Sequence, residues 1–124
     1  MASLRGKVVG IEFFTHGCIN CVHAAPRMQQ IYDQYGPKGF VLIGVHTPEF
    51  EHEKDLNAIK GFLMQKHLTF PVAVDNDYAM WRAYDNQYWP ALYLIDKEGN
   101  IQAHHIGEGG YHRITQDIEH LLNA

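Results

Sequence analysis

Apolar residues follow two different periods along this chain, and the changes from one period to the other divide it into strands and helices. Short runs rich in β-branched and aromatic residues and bounded by turn residues predict buried strands. These runs are 7–14, 40–45, 70–74, 91–95 and 101–106. Longer segments with apolar residues three or four positions apart predict helices. These segments are 18–35, 49–67 and 111–124, together with a short one that is capped by Asp75 or Asn76 and ends at Tyr84.

The predicted order, βαβαβαββα, is typical of an α/β fold in which helices cover both faces of one mixed sheet. Because parallel strands point the same way, the strands 7–14, 40–45 and 70–74 end at one edge of the sheet. If the last two strands form an antiparallel hairpin, the segments before and after that hairpin meet the same edge. Ligands of open α/β sheets bind at this edge. The residues predicted there are Cys18, Cys21, His46, Thr47, Pro48, Asp75, Trp89, Pro90, His104, His105 and the glycine-rich loop 107–110.

Length and composition exclude several classes of function. A chain of 124 residues, 46% of them apolar, is long enough for one compact domain, 1–124, and too short for two. The formal net charge of −4, with acids and bases interspersed, gives no basic stripe for nucleic-acid binding. No run approaches the roughly 18 apolar residues of a membrane span, and residues 1–7 lack the apolar core of a signal peptide. We therefore expect a water-soluble monomer, either complete or a domain of a longer protein.

The two cysteines stand together in HGCINCVH, residues 16–23, and allow three interpretations: a structural staple, a metal clip or a redox couple. A disulfide between Cys18 and Cys21 closes too short a loop to constrain the unfolded chain much. A zinc site needs four ligands, usually from a second CxxC or an HxxxH, and the sequence has neither. The spacing and the position between a strand and a helix favour the redox couple.

The two cysteines have different predicted roles. Cys18 lies where the free N–H groups and the positive dipole end of a helix stabilise a thiolate, so we predict that it is the attacking sulfur. Cys21 lies one turn further into the helix on the same face, so we predict that it is the resolving thiol. In this chemistry Cys18 forms a mixed disulfide with the substrate, and Cys21 releases it.

Glu12 is the third candidate catalytic residue. It lies in the strand 7–14, six residues before Cys18, and its neighbours alternate little between apolar and polar residues. This pattern favours burial over a solvent-facing position, and burial would raise the pKa of the Glu12 carboxyl. We predict that this carboxyl accepts the proton from Cys21.

Three features in a fixed order carry a resemblance to a known family. They are an acid six residues before the CxxC (Glu12), a proline five residues after it (Pro26), and the late Trp89-Pro90 pair that opens a hairpin. As a set they resemble the thioredoxin superfamily, over essentially the whole chain. The strand KVVGIEFF before CINC and the long insertion before the late proline resemble the TlpA/ResA branch. The segments GVHTPEFEHEKD, FPVAVDNDYAMWRAY, YWPALYLID and HHIGEGGY resemble the C-terminal thioredoxin-like domain of DipZ-type proteins.

The resemblance implies an extracytoplasmic thiol-disulfide oxidoreductase that reduces disulfides of protein substrates, without a further cofactor or metal. In DipZ-type proteins the other part is a CcdA/DsbD-like membrane electron carrier, which would be the electron donor. The resemblance also implies that Pro90 is cis and that the backbone of Trp89 pairs with a substrate strand beside the disulfide. We expect Gly17, Ile19 and Asn20 to contact the substrate as well, although Gly17 replaces the bulkier residue common before the first cysteine.

Two other functions remain open. A thiol peroxidase of the related peroxiredoxin branch needs a peroxidatic cysteine in a Pro/Thr-rich loop, and the segment THGC that ends at Cys18 lacks the proline. A non-enzymatic copper- or zinc-binding domain would draw on the nine histidines, although copper carriers of this fold usually have three residues between their cysteines. The histidines at the predicted edge, such as His46, also suggest an activity that changes with pH near the ordinary histidine pKa of roughly 6.5.

Overall fold

The computed structural model of the protein describes residues 6–107 and 109–124. The strands are β1 (Val8–Phe14), β2 (Phe40–His46), β3 (Val72–Val74), β4 (Ala91–Ile95) and β5 (Ile101–Ile106). The helices are α1 (Ile19–Tyr35), α2 (Leu56–Gln65), α3 (Ala79–Ala83) and α4 (Tyr111–Leu122), with 3-10 helices at Gly36–Lys38 and Glu51–Lys54. Residues 1–5, for which no signal peptide is predicted, and Glu108 of the glycine-rich loop lie outside the described residues.

The five strands form one mixed sheet in the order β3-β2-β1-β4-β5. Strand β2 is parallel to β1 and to β3, whereas β4 is antiparallel to β1 and to β5. The register pairs Phe14 with His46 and His46 with Val74, and it pairs Phe13 with Ala91 at the start of β4. The ends of β1, β2 and β3 therefore lie beside the start of β4 at one edge. This confirms the predicted α/β fold with a mixed sheet and with α2 and β3 inserted before Pro90.

Strand β1 is buried on both faces, which explains why its sequence is apolar without alternation. All seven of its residues are buried. One core cluster packs Val8 of this strand with Met28 of α1 and Ile118 of α4. A second cluster contains Phe13 and packs against Trp81 of α3. Because side chains alternate along a strand, the face of β1 that carries Val8 and faces α1 also carries Glu12.

None of the helices described combines the length and the apolar character that crossing a membrane requires.

The predicted single helix 49–67 is two elements, the 3-10 helix Glu51–Lys54 and α2. Asp55 separates them, because its backbone is extended and its carboxylate accepts the N–H group two residues further on at 2.9 Å, as the N-cap of α2. Leu56, the first residue of α2, is apolar but 52% exposed. The separate 3-10 helix turns the side chain of Glu53 inward, where it is buried.

The helix predicted to begin after Asp75 is shorter than the pattern indicates, since α3 begins only at Ala79. Asp75 nevertheless caps it from a distance. Its two carboxylate oxygens accept the backbone N–H groups of Met80 and Trp81 at 2.9 and 3.0 Å. The hydroxyl of Thr47 donates to the same carboxylate at 2.8 Å, so Asp75 joins α3 to the segment that follows β2.

Candidate active site

Cys18 and Cys21 lie at the join between β1 and α1, as predicted. The backbone turns after β1, and this turn is closed by a hydrogen bond from Cys18 N–H to the carbonyl of Thr15 at 3.3 Å. Cys18 is the N-cap of α1 and is partly exposed, whereas Cys21 lies one turn inside the helix and is 2% exposed. Both are free thiols. The accessible sulfur is therefore Cys18.

The surroundings of Cys21 keep it protonated. Burial raises the pKa of the Cys21 thiol, and its contact with Cys18 and the charge of Glu12 raise it further. Only a hydrogen bond with the backbone of Thr15 acts in the opposite direction. Cys21 is thus a thiol that needs a base before it can act as a nucleophile.

Glu12 lies behind Cys21 in the core. Its side chain is 5% exposed, as predicted, and burial raises the pKa of its carboxyl to about 8. Its Oε2 atom has no hydrogen-bond partner among the described residues. Glu12, Cys21 and Met28 line a cavity of about 10 Å³, close to the roughly 10–15 Å³ that one water molecule needs. Among the described residues that line this cavity, the titratable groups are the Glu12 carboxyl and the Cys21 thiol.

Trp89 and Pro90 lie on the other side of Cys18. The peptide bond between them is cis, as the family resemblance implies, and the carbonyl oxygen of Trp89 accepts the S–H group of Cys18 at 3.9 Å. The Trp89 indole N–H donates to the carbonyl of Thr47 at 2.7 Å, and the indole packs against Trp81 with ring centroids 4.1 Å apart. These contacts fix the Trp89 backbone beside the reactive sulfur.

The three other predicted substrate residues surround Cys18 at the surface. Gly17 and Asn20 are exposed, and Ile19 is 65% exposed. The structure therefore brings together in space every residue predicted to act in this site. The catalytic roles of Cys18, Cys21, Glu12 and Pro90 stay predictions, as do the binding roles of Gly17, Ile19, Asn20 and Trp89.

A buried polar cluster lies beneath the turn that precedes Cys18. The hydroxyl of Thr15 donates to Glu53 Oε1 at 2.6 Å, and the backbone N–H of Glu49 donates to the same oxygen at 2.8 Å. The backbone N–H of His16 donates to His46 Nε2 at 3.1 Å. Two consecutive residues of the turn are thus tied to side chains from the end of β2 and from the 3-10 helix Glu51–Lys54.

Both ionisable side chains of this cluster, His46 and Glu53, have a pKa below the ordinary value of their residue type. Burial and, to a smaller extent, the neighbouring His16 lower the pKa of His46 to about 4, so the ring is neutral near pH 7. The expected titration of His46 near 6.5 is therefore wrong. Burial by itself raises the pKa of Glu53, but the hydrogen bonds from Thr15 and from backbone N–H groups outweigh it and leave that pKa below its ordinary value.

Comparison with known proteins assigns the chain that carries this site to a family. The family model described as Thioredoxin-like matches residues 6–101. The chain belongs to the thioredoxin-like family. This confirms the predicted membership of the thioredoxin superfamily.

Individual relatives agree with this placement. The protein DipZ of Mycobacterium tuberculosis is 42% identical over 123 residues, which are 99% of this thioredoxin-like chain and 18% of DipZ. The thiol-disulfide oxidoreductase YkuV of Bacillus subtilis is 30% identical over 112 residues, 90% of this chain and 75% of YkuV. A crystal structure of a thiol-disulfide isomerase from Corynebacterium glutamicum has a TM-score of 0.90 at 27% identity and covers 99% of this chain and 85% of the isomerase. The chain thus spans less than a fifth of the length of DipZ.

Sequence reasoning missed Glu53 and Thr15 as parts of this thioredoxin-like site. Glu49, Glu51 and Glu53 follow one another in an acidic segment that the periodicity places in the first turn of a helix, and nothing in that pattern separates the buried acid from the exposed ones. The one available signal is Gly17, whose lack of a side chain before the first cysteine indicates that another group occupies the space. Among the described residues, no group of three or more His, Cys, Asp and Glu side chains is arranged to hold a metal ion.

Proposed function

We propose that this thioredoxin-like chain is a thiol-disulfide oxidoreductase that reduces disulfides of protein substrates through Cys18 and Cys21. The observation that carries the proposal is the pairing of an accessible Cys18 at the start of α1 with a buried Cys21 one turn inside it. This is the arrangement that an attacking and a resolving thiol need. The similarity to the oxidoreductase YkuV supports the same reaction.

The reaction proceeds in two exchanges. The Cys18 thiolate attacks one sulfur of the substrate disulfide, that S–S bond breaks, and the departing substrate thiolate takes a proton from solvent. Cys21 then loses its proton and attacks Cys18, which releases the second substrate thiolate. Two electrons pass to the substrate, and the chain is left with a disulfide between Cys18 and Cys21.

Glu12 accepts the proton of Cys21 in the second exchange. Both groups line one buried cavity, so a proton can move between them without reaching bulk solvent. A carboxyl with a pKa of about 8 takes up and returns a proton near physiological pH, which is the range in which proton transfer by a side chain is most effective.

The substrate lies as an extended segment along the backbone of Trp89, which precedes the cis Pro90. The Trp89 carbonyl is already within 3.9 Å of Cys18 Sγ, so a strand paired there brings its own disulfide to the reactive sulfur. The exposed Gly17, Ile19 and Asn20 border this position and contact the flanking residues of the substrate.

We further propose a location for the chain and an electron donor that reduces its Cys18–Cys21 disulfide. The similarity to DipZ over nearly the whole chain supports an extracytoplasmic domain of a membrane-tethered protein that folds as a single unit over residues 1–124. A membrane electron carrier of the CcdA/DsbD type would then return two electrons to the Cys18–Cys21 disulfide through its own dithiol.

A trapping experiment tests the reaction. In Cys21→Ser the second exchange cannot occur, so the variant should accumulate mixed disulfides through Cys18 when it is incubated with cell-envelope extract. Partners are recovered on non-reducing gels and released by dithiothreitol, and the double variant Cys18→Ser/Cys21→Ser is the control that should recover none. If the single variant captures nothing by disulfide, the exchange mechanism is wrong.

A redox titration against glutathione tests the direction of electron flow. A potential near that of thioredoxin, about −270 mV, fits a reductase, whereas one near about −120 mV belongs to a strong oxidant and would overturn the proposed direction.

A further inference from the structure

The turn before Cys18 is held from below by one buried carboxylate. Thr15 begins the turn and donates to Glu53 Oε1 at 2.6 Å. Gly17, the residue next to Cys18, lies directly against the other oxygen of the same group. The backbone N–H of His16 between them is bound to His46. The turn therefore cannot move without breaking its contacts to Glu53 and His46.

The contact at Gly17 shows how close the carboxylate is. A Cβ atom placed on Gly17 would lie 2.1 Å from Glu53 Oε2 and 2.9 Å from its Cδ, so the Glu53 carboxylate would have to shift to admit a side chain there. Glycine leaves room for this carboxylate and does not adopt an unusual backbone conformation here. The position where bulkier residues are common in the family is thus filled by the charged group of Glu53.

The carboxylate remains a net negative charge in this position. Glu53 is 1% exposed, and the hydrogen bonds to it come from a hydroxyl and a backbone N–H group, which carry no net charge. The neighbouring His46 is neutral because burial lowers its pKa. The exposed His52 is 3.9 Å away, and Lys54 pairs with Glu51 at 3.1 Å instead. Among the described residues, the neighbouring His16 and His52 can offset its charge when they are protonated.

We propose that Glu53 is a positioning residue that holds the turn before Cys18 and, through its buried negative charge, disfavours the Cys18 thiolate and makes the Cys18–Cys21 couple more reducing. This inference rests on the proposed disulfide exchange and gives it a direction. Reduction of the disulfide takes two electrons and one proton and yields a thiolate at Cys18 and a thiol at Cys21. A fixed anion nearby raises the free energy of that thiolate and leaves the uncharged disulfide unaffected, so the couple gives up its electrons more readily.

The charge can be removed without removing the hydrogen bonds. In Glu53→Gln the amide oxygen can still accept from Thr15 and from Glu49 N–H. We expect the equilibrium constant for exchange with glutathione to shift about tenfold toward the reduced protein, which corresponds to a rise of about 30 mV in potential.

Two matched variants separate the charge from other effects. Glu51→Gln removes an exposed carboxylate from the same 3-10 helix and should leave the glutathione equilibrium unchanged. Glu53→Asp keeps the buried charge and should retain most of the wild-type equilibrium. A structural role alone would lower the stability of Glu53→Gln without changing its potential.

The outcomes are distinct. An unchanged potential in a folded Glu53→Gln protein overturns the inference while the exchange function stands. Should Glu53→Gln fail to fold, the double variant Thr15→Val/Glu53→Met, which replaces both partners by apolar groups of similar shape, must show the same tenfold shift, and an unchanged potential there overturns the inference equally. A wild-type protein that does not exchange with glutathione at all refutes the proposed function itself.

Discussion

At the scale of single residues, the carboxyl group of Glu12 couples the stability of this thioredoxin-like protein to pH. Burial raises its pKa to about 8 in the folded protein, against 4.5 for an ordinary carboxyl. The folded state therefore binds this proton more tightly than the unfolded chain does. The resulting stabilisation is complete below about pH 4.5 and is lost as the pH rises through 8. The complete loss corresponds to about 5 kcal/mol.

Replacing Glu12 by an uncharged isostere should remove this pH dependence. Between pH 6 and pH 9 the free energy of unfolding of the wild type, measured in urea, should fall by about 3 kcal/mol more than that of Glu12→Gln. Glu98→Gln, which alters an exposed acid in the turn between β4 and β5, is the control and should lose as much as the wild type. Equal losses in all three proteins would show that Glu12 does not titrate in this range. Glu12→Gln should also release substrate from the mixed disulfide more slowly, because Cys21 then lacks the carboxylate that accepts its proton. Stopped-flow measurement of substrate release checks this.

Sequence reasoning succeeded for residues whose surroundings are set by neighbours along the chain. The burial of Glu12 could be predicted because it lies in an uninterrupted apolar strand. The lower exposure of Cys21 than of Cys18 could be predicted because Cys18 lies at the start of α1 and Cys21 lies one turn inside it. Glu53 could not be identified, because its inward direction depends on the hydroxyl of Thr15, which is 38 residues away along the chain. Periodicity carries no information about such a partner.

At the scale of secondary-structure elements, Asp75 joins the end of β3 to α3 and to Thr47. It is buried and accepts two backbone N–H groups of α3 together with the Thr47 hydroxyl. The carbonyl of Thr47 in turn accepts the indole of Trp89. One carboxylate thus helps to hold the segment whose carbonyl binds the indole of Trp89.

Asp75→Ala should therefore destabilise the protein strongly. We expect a loss of about 2–4 kcal/mol in the free energy of unfolding, because a helix cap is lost and a buried hydroxyl is left unpaired. Asp77→Ala is the matched control, since Asp77 is exposed and its carboxylate accepts the N–H of Ala79 at 3.2 Å. The decrease in the free energy of unfolding of Asp77→Ala should stay below about 1 kcal/mol. Similar losses in urea unfolding of the two variants would contradict the role of Asp75.

The predicted elements exist, and the differences concern where helices begin. The strands of the sheet core were predictable because burial on both faces leaves long apolar runs. The starts of α2 and α3 were not, because Asp55 interrupts a continuous amphipathic pattern with a local cap and Asp75 acts on α3 across an intervening turn. Caps depend on side-chain hydrogen bonds, to which hydrophobic periodicity is insensitive.

At the scale of the whole molecule, the redox state of one pair of sulfurs must be linked to the stability of the entire fold. Folding and reduction form a thermodynamic cycle, so a protein whose folded dithiol is a better reductant than the same dithiol in the unfolded chain is more stable when oxidised. The opposite holds for an oxidant, whose reduced form is stabilised.

We expect the oxidised form of this protein to be the more stable one. Its free energy of unfolding in urea should exceed that of the reduced form by about 1–3 kcal/mol, since 30 mV of potential corresponds to about 1.4 kcal/mol. Cys21→Ser, which cannot form the internal disulfide, should show no difference between oxidising and reducing buffers. A reduced form more stable than the oxidised form would identify an oxidant and contradict the proposed reductase.

The convergence of the site at one sheet edge was predictable from topology alone. Parallel pairing of β1, β2 and β3 and antiparallel pairing of β4 leave little choice about where Cys18, His46 and Trp89 meet. The sequence could not supply the distances, because the approach of the Glu53 carboxylate to Gly17 depends on how the insertion packs onto the turn.

The contact between Trp81 and Trp89 bears on the intrinsic tryptophan fluorescence of the protein. These are the only two tryptophans of the chain, their rings are 4.1 Å apart, and the backbone carbonyl of Trp89 accepts the S–H group of Cys18. Because the two indoles pack together beside the cluster that Cys18 contacts, we expect their fluorescence to differ between the oxidised and the reduced protein. Emission spectra in oxidising and reducing buffers check this without a label attached to the molecule.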